Sequence, residues 1–159
     1  MTSIAFDHLI PMCRSRKKPK AGDVFVVQPE KGIFYFGKVI QTDIVSSDSF
    51  INGMSLIYIY NRRSSQKNMT LGIETEELLI PPIVVNNQPW AKGYFETIGF
   101  EPVTVSEEQI DYGFWHVLKK EYVDLNGLSL SRVPKYSSIF GLGSYGIVGK
   151  EVQKAINGC

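Results

Sequence analysis

Residues 23–41 read DVFVVQPEKGIFYFGKVIQ, and the architecture of the chain turns on whether they form one hairpin. Val, Ile, Phe and Tyr crowd the two runs DVFVVQ and IFYFGKVIQ, and PEKG between them supplies turn residues, so the pattern predicts two paired β-strands. Gly37 falls inside the second run, where a glycine marks a bulge or a close backbone approach.

Further along, MSLIYIY (54–60) alternates Leu56, Tyr58 and Tyr60 with Ile57 and Ile59, so both faces are apolar and a central strand is expected. The polar stretches TDIVSSDSFING before it and NRRSSQKN after it read as loops. In LGIETEELLIPPIVV, Thr75 can start a short helix that Pro81 and Pro82 end before IVV resumes extended structure. GYFETIGFEPV suggests another strand, broken near Gly99, and YGFWHVLKKEYVDLNG suggests a hairpin turning at Asn126-Gly127. Only the end of the chain shows helical spacing, with Ser144 or a nearby glycine at its start and Ile147, Val148, Val152 and Ile156 turned inward. Five to seven strands with little helix predict a mainly β (α+β) fold, a curled antiparallel sheet or small barrel with a few short helices, one of them C-terminal. Residues 1–20 read as a basic lead-in and 21–159 as a single β-rich domain.

The totals narrow the function. With 159 residues, 43% of them hydrophobic, there is ample material for one core. A formal charge of +1 gives no global field to hold nucleic acid. The two cysteines, Cys13 and Cys159, form no Cys-x-x-Cys pair, which suits a reducing compartment better than a disulfide scaffold. At the N-terminus the charge follows the apolar residues, the reverse of a secretory signal, and no apolar run is long enough to span a membrane. A cytoplasmic protein is expected.

Motifs for chemistry are sparse. Gly141, Gly143 and Gly146 have the G-x-G-x-x-G spacing of a phosphate loop. Thirteen residues follow Gly146, too few for the rest of a dinucleotide fold or the downstream lysine and aspartates of a kinase. His8 and His116 are too far apart for a local zinc signature, and Cys13 sits beside Arg14, Arg16 and Lys17 without a held base. No catalytic, cofactor-binding or metal-ligating residues are predicted. Glu74, Glu76 and Glu77 form one acidic cluster, and Glu107, Glu108 and Asp111 form another just before the aromatic run YGFW. Acids beside aromatics are what a protein interface uses, although a solvated face has the same composition. Trp90, Tyr94, Tyr112 and Trp115 fit core or interface equally, and strand alternation sets Tyr112 and Phe114 opposite Gly113 and Trp115.

The ordered set of segments resembles the immunity protein 26 family of bacterial polymorphic toxin systems, which includes contact-dependent growth inhibition. Gly22, Asp23 and Phe25, then Phe36, Gly37, Val39 and Ile40, stand where that family has Gly-Asp-x-Phe and an aromatic-Gly-x-Val/Ile strand. Pro81, Pro82 and Ile83, then Gly93, Ile98 and Gly99, match its Pro-Pro-Ile segment and a following strand ending in Ile-Gly. The resemblance implies a non-enzymatic immunity protein that binds and neutralises a cognate toxin C-terminal domain. A nuclease toxin would present a basic surface, which would make Glu107, Glu108 and Asp111 with Tyr112 or Trp115 the expected docking residues. Gly22, Asp23, Phe25, Gly37, Pro81, Pro82 and Gly99 are expected to serve the fold. The alternative is a small β-barrel nucleic-acid module using RSRKKPK, Arg62 and Arg63, against which the neutral charge argues.

Overall fold

A computed structural model describes residues 9–69 and 71–158. His8 and Cys159 lie outside them. The opening hairpin is present: β1 (Asp23–Glu30) and β2 (Ile33–Gln41) pair antiparallel and close at Glu30 opposite Ile33. β3 (Ser55–Ser64) pairs with β2, and β4 (Ile83–Val85) with β3. The helix α1 (Gln88–Ala91) leads to β5 (Glu96–Phe100), which pairs with β1. The result is a five-stranded antiparallel sheet in the order β4-β3-β2-β1-β5. α2 (Val105–Glu108) then enters a second, three-stranded sheet of β6 (Tyr112–His116), β7 (Glu121–Val123) and β8 (Tyr136–Ile139), with β6 central and β8 parallel to it. α3 (Tyr145–Ile156) follows. The first sheet has unjoined ends at β4 and β5, so of the two β architectures the curled sheet holds and the closed barrel does not.

Alternation along β1, β2 and β3 builds a core on each face of the large sheet. Val24, Val26, Phe34, Phe36, Leu56, Tyr58 and Tyr60 point one way, against Phe114 and Val123 of the small sheet. Phe25, Val27, Tyr35, Val39, Ile57 and Ile59 point the other way, against Trp90, Phe95 and the α3 residues Val148 and Val152. β3 is therefore buried on both sides, as its apolar faces predict. Gly37 is a close approach: a Cβ there would stand 2.5 Å from the Phe25 ring and 2.8 Å from the Tyr58 carbonyl oxygen.

Local expectations differ from the fold in five places. β3 runs on through residues 61–64, the first half of the stretch expected as a loop, because Arg63 and Ser64 pair with Tyr35 and Phe34 of β2. A single 3₁₀ turn, Ile73–Thr75, replaces the helix expected after Thr75, because residues 77–79 stay extended and bond to β3 through Asn61 N–H to Glu77 O (2.8 Å) and Leu79 N–H to Ile59 O (2.8 Å). The β6–β7 hairpin closes at 117–120, where Lys120 adopts a φ of 54°. Asp124–Gly127 forms a separate turn just beyond β7, with a bridge between Val123 and Ser129. β8 lies in a segment, SLSRVPKYSS, whose turn residues hide a strand. Finally, α3 turns Val148 and Val152 inward, but Ile147 is 49% exposed and Ile156 36%.

Candidate functional site

The second acidic cluster begins with a helix start. Thr104 caps α2: its hydroxyl accepts the Glu107 N–H (3.2 Å), and Glu107 Oε1 accepts the Thr104 N–H (2.9 Å), a reciprocal capping box. The same carboxylate also reaches into the protein. Lys38 occupies an inward position of β2 beyond Phe34 and Phe36, where a charge must find partners. Its ammonium donates to Glu107 Oε1 (2.9 Å), Glu101 Oε1 (3.3 Å) and the Pro102 carbonyl (3.4 Å), which uses all three protons. Tyr60 donates its phenol to Glu107 Oε2 (2.6 Å), and Tyr58 donates to the Glu107 carbonyl (2.9 Å). Lys38 and Glu107 are 0% and 1% exposed. Burial, and then neighbouring groups that include Glu107, push both phenols well above the ordinary tyrosine range and keep them protonated. The network fastens a four-residue helix to the sheet, and its charged groups face one another, away from solvent.

The five predicted docking residues therefore separate. Glu107 lies inside, because Lys38 needs a carboxylate there. Asp111 is exposed but pairs with Arg132 and accepts the Lys135 N–H (3.0 Å); the Arg132 hydrogen bond comes first among the causes that hold its carboxyl below the usual range. Tyr112 is half-buried and packs edge-on to Tyr58 (6.3 Å) and Phe114 (5.8 Å). Its phenol is pushed up to about 12, chiefly by burial and then by Asp124. Trp115 is on the opposite face of β6, against Tyr122 (5.0 Å), as the alternation predicts. Glu108 is exposed and has no ion pair among the described residues. Glu108 and Tyr112 do meet: with Ile40, Gln41, Leu56 and Tyr58 they line a notch of about 430 Å³ between the two sheets.

The other candidates have settled partners. Trp90 is 2% exposed and belongs to the core, while Tyr94 stacks on Tyr145 at 4.6 Å. In the glycine motif Gly143 N–H donates to Val84 O (2.7 Å), and Ser144 at the head of α3 takes the Ile147 N–H on its hydroxyl (3.2 Å) and the Val148 N–H on its carbonyl (2.9 Å). His116 accepts the Lys119 N–H at Nδ1 (3.1 Å) and stacks on Phe140. Arg62 pairs with Glu76. Among the described residues no three His, Cys, Asp or Glu side chains gather closely enough to hold a metal, and no helix is long and apolar enough to cross a membrane.

The residues of the family pattern occupy structural places. Asp23 Oδ2 accepts the Lys20 N–H (3.0 Å) at the entry to β1, and Phe25 stacks on Phe95 at 4.5 Å. Gly22 lies beneath the Phe100 ring, Gly99 pairs with Val24, and the Pro82 carbonyl accepts the Ser138 hydroxyl (3.1 Å), joining the corner Pro81-Pro82 to the small sheet. The buried Lys38–Glu107 pair went unread in the sequence, although a lysine at an inward strand position and a Thr-x-x-Glu helix start were both visible. A family model described as Immunity protein 26 matches residues 20–123, more than half of the chain. No curated protein and no solved structure matches it.

Proposed function

The chain belongs to the immunity protein 26 family, and from that premise we propose that it neutralises a cognate toxin domain by binding it one to one in the cytoplasm of the cell that makes both. The match to the family model carries this reading. It runs from the entry of β1 to the end of β7 and so takes in the whole five-stranded sheet, α2 and the Lys38–Glu107 network. Protection by binding alone requires an affinity of about 12 to 16 kcal/mol, nanomolar to picomolar. An interface of about 800 Å² per partner can supply it where its anchors are well packed. The exposed surface of 8635 Å² leaves room for one.

The notch between the sheets is one docking element in this reading. Glu108, which has no ion pair among the described residues, and Tyr112 both line it, with the Asp111–Arg132 pair a few residues along and Trp115 on the far face of β6. A nuclease as the toxin would answer Glu108 with its own basic surface. Glu108→Lys is then expected to weaken binding about tenfold or more with the melting temperature unchanged; wild-type affinity in the variant would remove the notch from the interface.

Co-expression with the C-terminal domain of a large secreted protein, chosen from a gene found next to this one, tests the function itself. Growth together with a co-purified complex is the expected result. Death of the cells despite soluble protein, with no complex recovered, would contradict it.

A further inference from the structure

A group of unpaired positive charge lies on the other side of the large sheet, where an extended segment crosses the end of α1. Residues 9–16 are pinned there: Leu9 is buried, Met12 N–H donates to Gly93 O (2.7 Å), and Ser15 N–H donates to Trp90 O (3.0 Å). The seat depends on Gly93, whose φ is 83° and where a Cβ would stand 2.7 Å from the Met12 carbonyl oxygen. Between the segment and α1 runs a groove of about 490 Å³, lined by Arg14, Arg16 and Lys17 on one side and by Asn87, Gln88 and Lys92 on the other. Among the described residues its lining contains no carboxylate and no aromatic ring. Among the described residues none of the four cations has an ion pair, whereas Lys18, next along the chain, is neutralised by Asp43.

We propose that this groove docks an acidic loop of the toxin domain, its carboxylates received by Arg14, Arg16, Lys17 and Lys92. The inference rests on the immunity reading above and names the chemistry of the partner. Four like charges held close together repel one another, and a carboxylate-bearing partner relieves that repulsion as it binds. Backbone hydrogen bonds already hold the segment at Met12 and Ser15, so docking has chiefly the four long side chains to order. Single-stranded nucleic acid fits less well, since its sites add stacking rings to the cations and the formal charge here is only +1.

The test compares the wild-type chain with R14E/R16E/K17E/K92E against an inactive variant of the toxin domain, with Kd measured from low to high salt. The quadruple variant is expected to bind about 100-fold more weakly, with a flatter salt dependence and an unchanged melting temperature. Wild-type affinity and salt slope in that variant would overturn the groove while leaving immunity intact. Failure of the wild-type chain to bind the toxin domain at all would remove the immunity reading and this inference with it. A short RNA that binds the wild type and not the quadruple variant would give the groove to nucleic acid and overturn the protein partner.

Discussion

At Lys38 a charge sits where strand alternation calls for an apolar side chain, and its ammonium has no contact with solvent. Replacing it with methionine leaves the buried Glu107 carboxyl without its cation. A change of that kind costs about 3 to 5 kcal/mol, more than replacing both partners with apolar groups that fit. Urea unfolding of Lys38→Met and of Lys38→Met/Glu107→Leu checks this: the single variant is expected to be the less stable of the two. The phenols above the network set a pH limit of their own. Tyr58, Tyr60 and Tyr112 all titrate higher in the folded chain than the ordinary value of about 10. Above about pH 10 the unfolded chain therefore holds fewer protons than the folded one, and stability falls as pH rises. It is fully present below that point. Urea midpoints from about pH 8 upward are expected to stay level and then decline above about pH 10. Tyr112→Phe, which keeps the ring, is expected to soften the decline. At this scale the sequence was half legible: the inward lysine and the capping box could be read from local spacing. That they join across 69 residues could not.

Among the elements, α3 shows how context outweighs a motif. Gly141, Gly143 and Gly146 match a phosphate loop in spacing, yet Ser144 caps the helix that follows and the Gly143 amide extends the pairing of β4. Ser144→Ala is expected to cost about 1 kcal/mol, measured by chemical unfolding, because the Ile147 amide loses its acceptor. The strands rich in β-branched and aromatic residues were legible because their apolar residues repeat with the period of the pleat. β8 was not: Tyr136–Ile139 lies in a polar segment and becomes a strand by lying parallel to β6, a pairing set by tertiary contact. The β6–β7 turn was misplaced for a related reason. Asn126-Gly127 is a genuine turn, but Lys120 in a left-handed conformation closes the hairpin first.

For the whole molecule, the distribution of charge matters more than its sum of +1. Of the three acids from Glu107 to Asp111, one is buried against Lys38 and one is paired with Arg132, whereas four cations around α1 have no ion pair among the described residues. Sequence proximity placed the acids together, and folding supplied two of them with distant cations. The family, by contrast, was legible in the order of its glycines, prolines and aromatics along the chain. The measurement that bears most directly on immunity is a titration of this protein into a fixed amount of active toxin domain, with toxin activity as the readout. Activity is expected to fall in a straight line and reach zero at one equivalent. Full activity at a large molar excess, or complete loss well below one equivalent, would contradict neutralisation by one-to-one binding.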